Sequence, residues 1–181
     1  EERSEISNND EFTWVIDPLD GTTNFVHNLP IFSVSIGLKI NNKAILGVVY
    51  NAAADKCFYA EKDKGAFLNG EKINTRENTL LSQSLLATGF PYLHDKRYDV
   101  SFDIFKTFYD KTRGMRRLGA ASLDLCFVAM GRFDGFYEFE LKPWDICAGA
   151  LIVNEANGIV SDWDGNKLPD CGKRILASSN N

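Results

Sequence analysis

The chain has 181 residues, of which 44% are hydrophobic and 25% are charged, and its formal net charge is −5. This composition is ordinary for a globular protein, and no apolar run approaches the ~20 residues that a membrane-spanning helix needs. The densest basic cluster, Arg113, Arg116 and Arg117, is too small for the extended basic surface of a nucleic-acid-binding protein. We therefore predict neither nucleic acid nor membrane as a partner, and an anionic ligand would need metal ions to neutralise it.

The two ends and the cysteines give further expectations. The sequence opens with Glu1-Glu2-Arg3 and not with methionine, which suggests a segment of a longer protein. The cysteines are far apart, without a C-x-x-C pair, and are predicted to be reduced and mostly buried in a cytoplasmic protein. They are Cys57, Cys126, Cys147 and Cys171.

The first half of the chain is predicted to be mostly strands. An apolar strand ends where Pro18 denies Asp17 a helical conformation, and two alternating segments around Asn41-Asn42-Lys43 predict a hairpin. The predicted strands cover residues 12–16, 31–40, 44–52, 56–62, 65–73 (a strand pair) and 84–90.

Helices and strands then alternate. Tyr98, Phe102, Phe105 and Tyr109 recur at spacings of three and four, which predicts a helix whose aromatic face lies in the core. This pattern predicts an α/β protein of two lobes, residues 1–111 and 112–181, with a groove between them. The predicted elements are helices over 95–111, 120–130 and 144–158, and strands over 133–139, 159–163 and 174–179.

The segment WVIDPLDGTTNF, residues 14–25, places two acids three apart beside a turn. Asp17 and Asp20 could be simple turn residues, since Asp, Pro and Gly are typical of turns. Alternatively, their carboxylates converge on a cation, because close carboxylates repel unless one is protonated or a cation lies between them. The amides after Gly21 would open a helix and favour phosphate, and oxygen ligands beside phosphate are typical of Mg²⁺.

Two other acidic motifs fit less well. A phosphatase that uses aspartate as its nucleophile in a D-x-D-G-T turn has its acids two apart. The segment also lacks the alternating ligands and twelfth-position glutamate of an EF-hand loop, and residues 162–165 are predicted to be a surface turn. Asp145, in the first turn of the last predicted helix, could complete a metal site or only cap that helix.

Together, DPLDGTTNF and WDICAGALIVNEANG resemble the two signature motifs of the inositol monophosphatase family of Mg²⁺-dependent, lithium-sensitive phosphatases. The resemblance extends over essentially the whole chain, and LKPWD resembles the bacterial branch. It implies a layered α-β-α-β-α sandwich, the sugar phosphatase fold, with the active site between two lobes. It also implies a homodimer.

The same resemblance implies two or three Mg²⁺ ions. Asp17, the carbonyl of Leu19 and Glu1 would bind the first metal, whereas Asp17, Asp20 and Asp145 would bind the second. One ion would activate a water for attack, and the other would stabilise the departing alkoxide.

Substrate contacts follow from the same resemblance. Thr22 would orient the attacking water, and the amides of Gly21 and Thr22 would hold phosphate. Asp20, Glu138 and the backbone at Ala121 would meet the substrate hydroxyls. The expected substrate is inositol 1-phosphate or a related polyol or sugar phosphate; fructose 1,6-bisphosphate, histidinol phosphate and a non-catalytic interaction protein with this fold stay open.

Overall fold

The computed structural model of the chain describes residues 12–77, 80–91, 96–168 and 174–179. Glu1, one of the predicted metal ligands, and Cys171 lie outside these ranges. The described residues form two β-sheets and four α-helices around one main hydrophobic core. Within them, no helix combines the length and the apolar character that crossing a bilayer requires.

The first sheet has six antiparallel strands in sequence order. The predicted hairpin is confirmed, and its turn residues Asn41 and Asn42 have φ angles of 48° and 60°. Asparagine tolerates this left-handed conformation better than most residues, and the twist of such a turn matches that of the flanking strands. The strands are β1 (Phe12–Asp20), β2 (Ser33–Ile40), β3 (Lys43–Asn51), β4 (Lys56–Glu61), β5 (Gly65–Leu68) and β6 (Glu71–Ile73).

Strand β1 is longer than predicted. We expected it to end at Ile16, but it continues through Pro18 to Asp20. Asp17 pairs with Ser35 and Asp20 with Ser33, so two residues of β1 lie opposite one residue of β2. Such a bulge accommodates proline, because a bulged residue is left out of the hydrogen-bond ladder.

The second sheet has its strands in the order β10-β11-β9-β7-β8, with β7 parallel to both of its neighbours. The sequence predicts four of these strands and misses β8, which is too short to show an alternating pattern. Because β9 is central, Glu138 projects from the middle of the sheet and not from its edge. The strands are β7 (Leu85–Thr88), β8 (Gly114–Arg116), β9 (Gly135–Phe139), β10 (Gly158–Ser161) and β11 (Arg174–Ser179).

Two helices, α3 (Ala121–Ala129) and α4 (Pro143–Glu155), fill the space between the sheets. The other two helices are α1 (Thr22–Val26) and α2 (Lys96–Lys111). Helices α3 and α4 are apolar on nearly every side because they contact each other and both sheets. Helix α4 lies close to β3 at Gly47, where a side chain would come within 2.8 Å of the Ala148 carbonyl oxygen.

Helix α2 packs on the other face of the second sheet. Alternate residues of β7 divide between the two faces: Ala87 joins the main core, whereas Leu86 packs with Ile104, Phe105 and Phe108 in a second cluster. The described residues therefore form four layers, sheet, helices, sheet and helix, in agreement with the predicted layered α/β sandwich. The division between residues 111 and 112 stays a prediction; the sheets themselves separate between β6 and β7.

The prediction that the α2 aromatic face is buried is wrong in part. Phe102 is 44% exposed and Tyr109 is 59% exposed. The ring of Phe102 stacks on Phe90 with a centroid separation of 4.5 Å. Only one side of α2 contacts the sheet, so rings that extend beyond that contact stack on one another at the surface.

The cysteine prediction holds for the residues that the structure describes. Cys126 and Cys147 are buried, Cys57 is half-buried, and none of the three forms a disulfide.

Candidate active site

One cleft of about 210 Å³ collects every described residue that the sequence analysis assigned to the site. Its walls come from the bulged end of β1, the start of α1, the segment before α3, the end of β9 and the start of α4. The predicted residues in the lining are Asp17, Leu19, Asp20, Gly21, Thr22, Ala121, Glu138 and Asp145. It also contains residues that the sequence did not single out for the site, namely Thr23, Gly89, Arg117, Gly119, Ala120, Leu141 and Trp144.

The bulge in β1 positions the two acids of the first motif. Both Asp17 and Asp20 are buried. The amide of Leu19 donates to Asp17 Oδ1 at 3.0 Å, which holds the intervening residues in a tight turn. The acids thus belong to a rigid strand end and not to a free surface loop.

Gly21 joins this turn to α1 and cannot be replaced without strain. Its φ is +83°, and a Cβ there would lie 2.8 Å from the Ile31 carbonyl oxygen. In α1, Asn24 donates to the carbonyls of Ile31 and Leu118, each at 2.8 Å. These bonds fix the short helix, whose first amides have no acceptor within the helix itself.

Asp20 is held by the beginning of α3. Its Oδ2 accepts from the Ser122 amide at 2.9 Å and from the Ser122 hydroxyl at 2.5 Å. Burial raises the pKa of Asp20 to about 6, the bonds from Ser122 oppose this rise, and the nearby charge of Asp17 adds to it. The pKa of Asp20 is therefore raised although two donors from Ser122 stabilise its ionised form, because burial removes the solvation of that form.

Two further acids, Glu138 and Asp124, lie close enough to Asp20 to interact with its charge. Burial raises the pKa of Glu138 to about 8, with Asp145 and Asp20 adding to the rise and Arg117 opposing it. Burial also raises the pKa of Asp124 well above its ordinary value, and Glu138 adds to that rise. Asp124 Oδ1 is buried and has no hydrogen-bond partner among the described residues.

Asp145 lies in the first turn of α4, as the sequence predicts. Its Oδ2 accepts from the Lys142 amide at 2.6 Å, so the side chain caps the helix as one of the two predicted roles requires. The preceding carbonyl, that of Trp144, accepts from Ser35 Oγ on β2 at 3.2 Å. This bond connects the start of α4 to the first sheet at Ser35, the residue that pairs with Asp17.

The donor chemistry of the cleft suits Mg²⁺ shared between protein, water and substrate. Among the described residues, no group of three or more His, Cys, Asp or Glu side chains is close enough together to hold a metal ion. Mg²⁺ rarely needs such a cage, because one or two carboxylates with waters and phosphate oxygens satisfy it. The lining residues include four carboxyl side chains, Asp17, Asp20, Glu138 and Asp145, but a single basic side chain, Arg117.

Several contributing residues escape sequence reasoning. Gly89 leaves room for the Glu138 carboxyl group, which a Cβ at this position would displace, but nothing around a lone glycine before Pro91 indicates this. Ser122 is part of LGAAS, yet that stretch draws attention only to the backbone at Ala121. The contacts of Gly89 and Ser122 join residues distant in sequence, which local pattern cannot reveal.

Comparison with known proteins agrees with this geometry. The sequence profile of the Inositol monophosphatase family matches residues 1–181. The chain is 50% identical over 155 residues to the putative Nus factor SuhB of Neisseria meningitidis serogroup B, covering 86% of this chain and 59% of that protein. It is 45% identical over 172 residues to inositol monophosphatase 2 of Solanum lycopersicum, covering 94% of this chain and 65% of that protein.

The solved structures agree as well. Inositol monophosphatase from Anabaena superposes with a TM-score of 0.92 at 41% identity, covering 96% of this chain and 69% of that one. The chain spans less than two thirds of the length of the Neisseria and tomato relatives. It belongs to the inositol monophosphatase family.

Proposed function

We propose that the protein is a Mg²⁺-dependent, lithium-sensitive phosphomonoesterase that hydrolyses inositol 1-phosphate or a related small polyol or sugar phosphate. The observation that carries the proposal is the convergence of Asp17, Asp20 and Asp145 on one cleft with the start of α1. The names of the tomato and Anabaena relatives support the substrate class.

Different residues of the chain would bind the two metal ions. Asp17 and the Leu19 carbonyl, with Glu1, would hold one ion, and Asp17, Asp20 and Asp145 would hold a second. Because no three described carboxylates lie close enough together to hold an ion, Asp17, Asp20 and Asp145 would have to move closer together when the second ion binds. When bound, Mg²⁺ supplies Lewis acidity, which lowers the pKa of a water and neutralises charge on the oxygens of the ester. Because Arg117 alone cannot balance the carboxylates of Asp17, Asp20 and Asp145, these ions would also allow an anionic substrate to enter an acidic cleft.

The remaining residues position the substrate. The amides of Gly21 and Thr22 at the start of α1 would bind phosphate, and the Thr22 hydroxyl would orient the attacking water. Glu138, Asp20 and the backbone of Ala121 would contact the hydroxyl groups of the sugar or polyol. Gly89 keeps room for the Glu138 carboxylate.

A second candidate function is non-catalytic. The Neisseria relative is named a putative Nus factor, which favours an interaction role for this protein in addition to catalysis or in its place. Phosphate release that requires Mg²⁺ separates the two candidates.

The test is a panel of inositol 1-phosphate, fructose 1,6-bisphosphate and histidinol phosphate, assayed on the full-length protein with Mg²⁺, with and without Li⁺. Asp17→Asn should lower turnover at least ~100-fold, because it removes a charge that two ions share. It should keep the fold, since asparagine still offers an oxygen to the Leu19 amide. The matched control is Asp110→Asn on the exposed side of α2, and wild-type turnover in Asp17→Asn would contradict the two-metal site.

We also propose that the protein is a homodimer. The exposed aromatic residues of α2, Phe102 and Tyr109, support an apolar contact between subunits. Sedimentation velocity on the full-length protein tests this, and a monomer at micromolar concentration would contradict it. A cytoplasmic location stays a prediction from the distribution of the cysteines.

A further inference from the structure

A buried chain of three oxygen-bearing side chains ends at Asp20. Ser33 Oγ lies 2.8 Å from Ser122 Oγ, and Ser122 Oγ donates to Asp20 Oδ2 at 2.5 Å. Ser33 is 1% exposed and Ser122 is 0% exposed. Ser33 opens β2 and pairs with Asp20 in the sheet, whereas Ser122 is the second residue of α3. The contact therefore joins the first sheet, the central helix and the acidic turn.

The directions of these hydrogen bonds follow from the proton count. An ionised carboxylate only accepts, so the single proton of the Ser122 hydroxyl is committed to Asp20. The bond between the two serines must then run from Ser33 to Ser122. The Ser122 amide donates to the same Oδ2 at 2.9 Å, so two donors from one residue converge on one oxygen.

This arrangement fixes the rotation of the Asp20 carboxylate. The terminal torsion of aspartate is broad and is not set by staggered wells, so hydrogen bonds decide where its oxygens point. The backbone amide of residue 122 would remain in an alanine variant, but the hydroxyl comes from the serine side chain and would be lost. Outer-shell donors of this kind orient metal-binding carboxylates in many sites.

We propose that Ser122, supported by Ser33, is a positioning residue that orients Asp20 for metal binding. The inference rests on the proposed function, since it takes Asp20 to be a ligand of the second ion. Ser122 itself contacts neither ion nor substrate; it acts through Asp20. Ser33 acts one step further back, by directing the Ser122 proton.

The test is the binding of Mn²⁺, a probe for Mg²⁺, to the full-length protein by isothermal titration calorimetry without substrate. Ser122→Ala should weaken Mn²⁺ binding roughly 10- to 100-fold, the usual effect of removing an outer-shell partner. Ser33→Ala should weaken it less, and the double variant should bind no more weakly than Ser122→Ala alone, because Ser33 acts through Ser122.

Ser101→Ala is the matched control. Ser101 is also buried, and its hydroxyl donates to the Arg97 carbonyl in α2, away from the cleft. It should lower the thermal unfolding temperature in EDTA about as much as Ser122→Ala does, yet leave Mn²⁺ affinity unchanged. A merely structural role for Ser122 predicts equal affinities in both variants.

The outcomes separate two failures. A wild-type protein that binds no Mn²⁺ overturns the proposed function and this inference with it. A wild-type protein that binds Mn²⁺, with a folded Ser122→Ala variant of unchanged affinity, overturns the inference alone. If Ser122→Ala does not fold, Ser33→Ala decides, because it keeps both donors to Asp20, and unchanged affinity in that variant overturns the role of the serine pair.

Discussion

Replacing Glu138 with glutamine should stabilise the metal-free protein at alkaline pH. It should also remove the part of the pH dependence of the free energy of unfolding that comes from this residue. Burial raises the pKa of Glu138 from 4.5 to about 8 in the folded state. Between these two values, the folded protein keeps a proton that the unfolded chain has lost. The stability contributed by the neutral side chain is therefore complete below pH 4.5 and is lost as the pH rises towards 8.

The magnitude follows from linkage. A shift from 4.5 to about 8 corresponds to a loss of up to about 5 kcal/mol in the free energy of unfolding across that window. Glutamine imitates the protonated acid in shape and hydrogen-bonding groups but does not titrate. Asp20 titrates in both proteins, so its contribution largely cancels from the difference, whereas Glu138→Gln also removes a charge that raises the pKa of Asp124.

Urea unfolding followed by circular dichroism between pH 4 and 9, in EDTA, measures this difference. The stabilities of wild type and Glu138→Gln should change little relative to each other near pH 4 and diverge above it, with the variant more stable at pH 8. Glu71→Gln, on the exposed strand β6, is the control and should show no divergence. Parallel curves for wild type and Glu138→Gln would refute the claim that partial burial beside other acids raises the pKa of Glu138.

Three further outcomes follow from the same geometry. Gly47→Ala should lower the free energy of unfolding by about 1–3 kcal/mol in urea, since its Cβ would meet the backbone of α4 at Ala148, and wild-type stability would contradict this packing. Gly89→Ala should displace the Glu138 carboxylate and raise KM more than it lowers kcat; an unchanged KM would remove Glu138 from the pocket. Mg²⁺ affinity should fall as the pH drops below the Asp20 pKa of about 6, with protons released on binding, and calorimetry in two buffers of different ionisation enthalpy detects that release.

The sequence predicts the strands of the first sheet well because their residues alternate and their turns use asparagine and glycine. Its pattern fails where two structural preferences compete. Pro18 indicates the end of a strand, yet a bulge lets β1 continue to Asp20, which lines the cleft. The aromatic spacing in α2 correctly predicts a helix, but it does not determine how far each ring lies from the sheet.

Some residues of the site can be predicted from the sequence and others cannot. Asp17, Asp20 and Asp145 stand in motifs whose residue order can be read directly, and all three line one cleft. Ser33, Ser122 and Gly89 contribute through contacts that span from about 50 to about 100 residues of sequence, such as Gly89 against Glu138 and Ser122 against Asp20. Such contacts depend on how the sheets and helices stack, which local periodicity does not specify.

The central claim is that the acidic turn and the start of α4 bind divalent metal together with phosphate. A crystal of the full-length protein soaked with Mn²⁺ and inorganic phosphate tests it through anomalous scattering. We expect Mn²⁺ peaks within about 2.2 Å of oxygens of Asp17, Asp20 and Asp145, with phosphate at the amides of Gly21 and Thr22. A cleft without anomalous peaks under saturating Mn²⁺ would contradict the account.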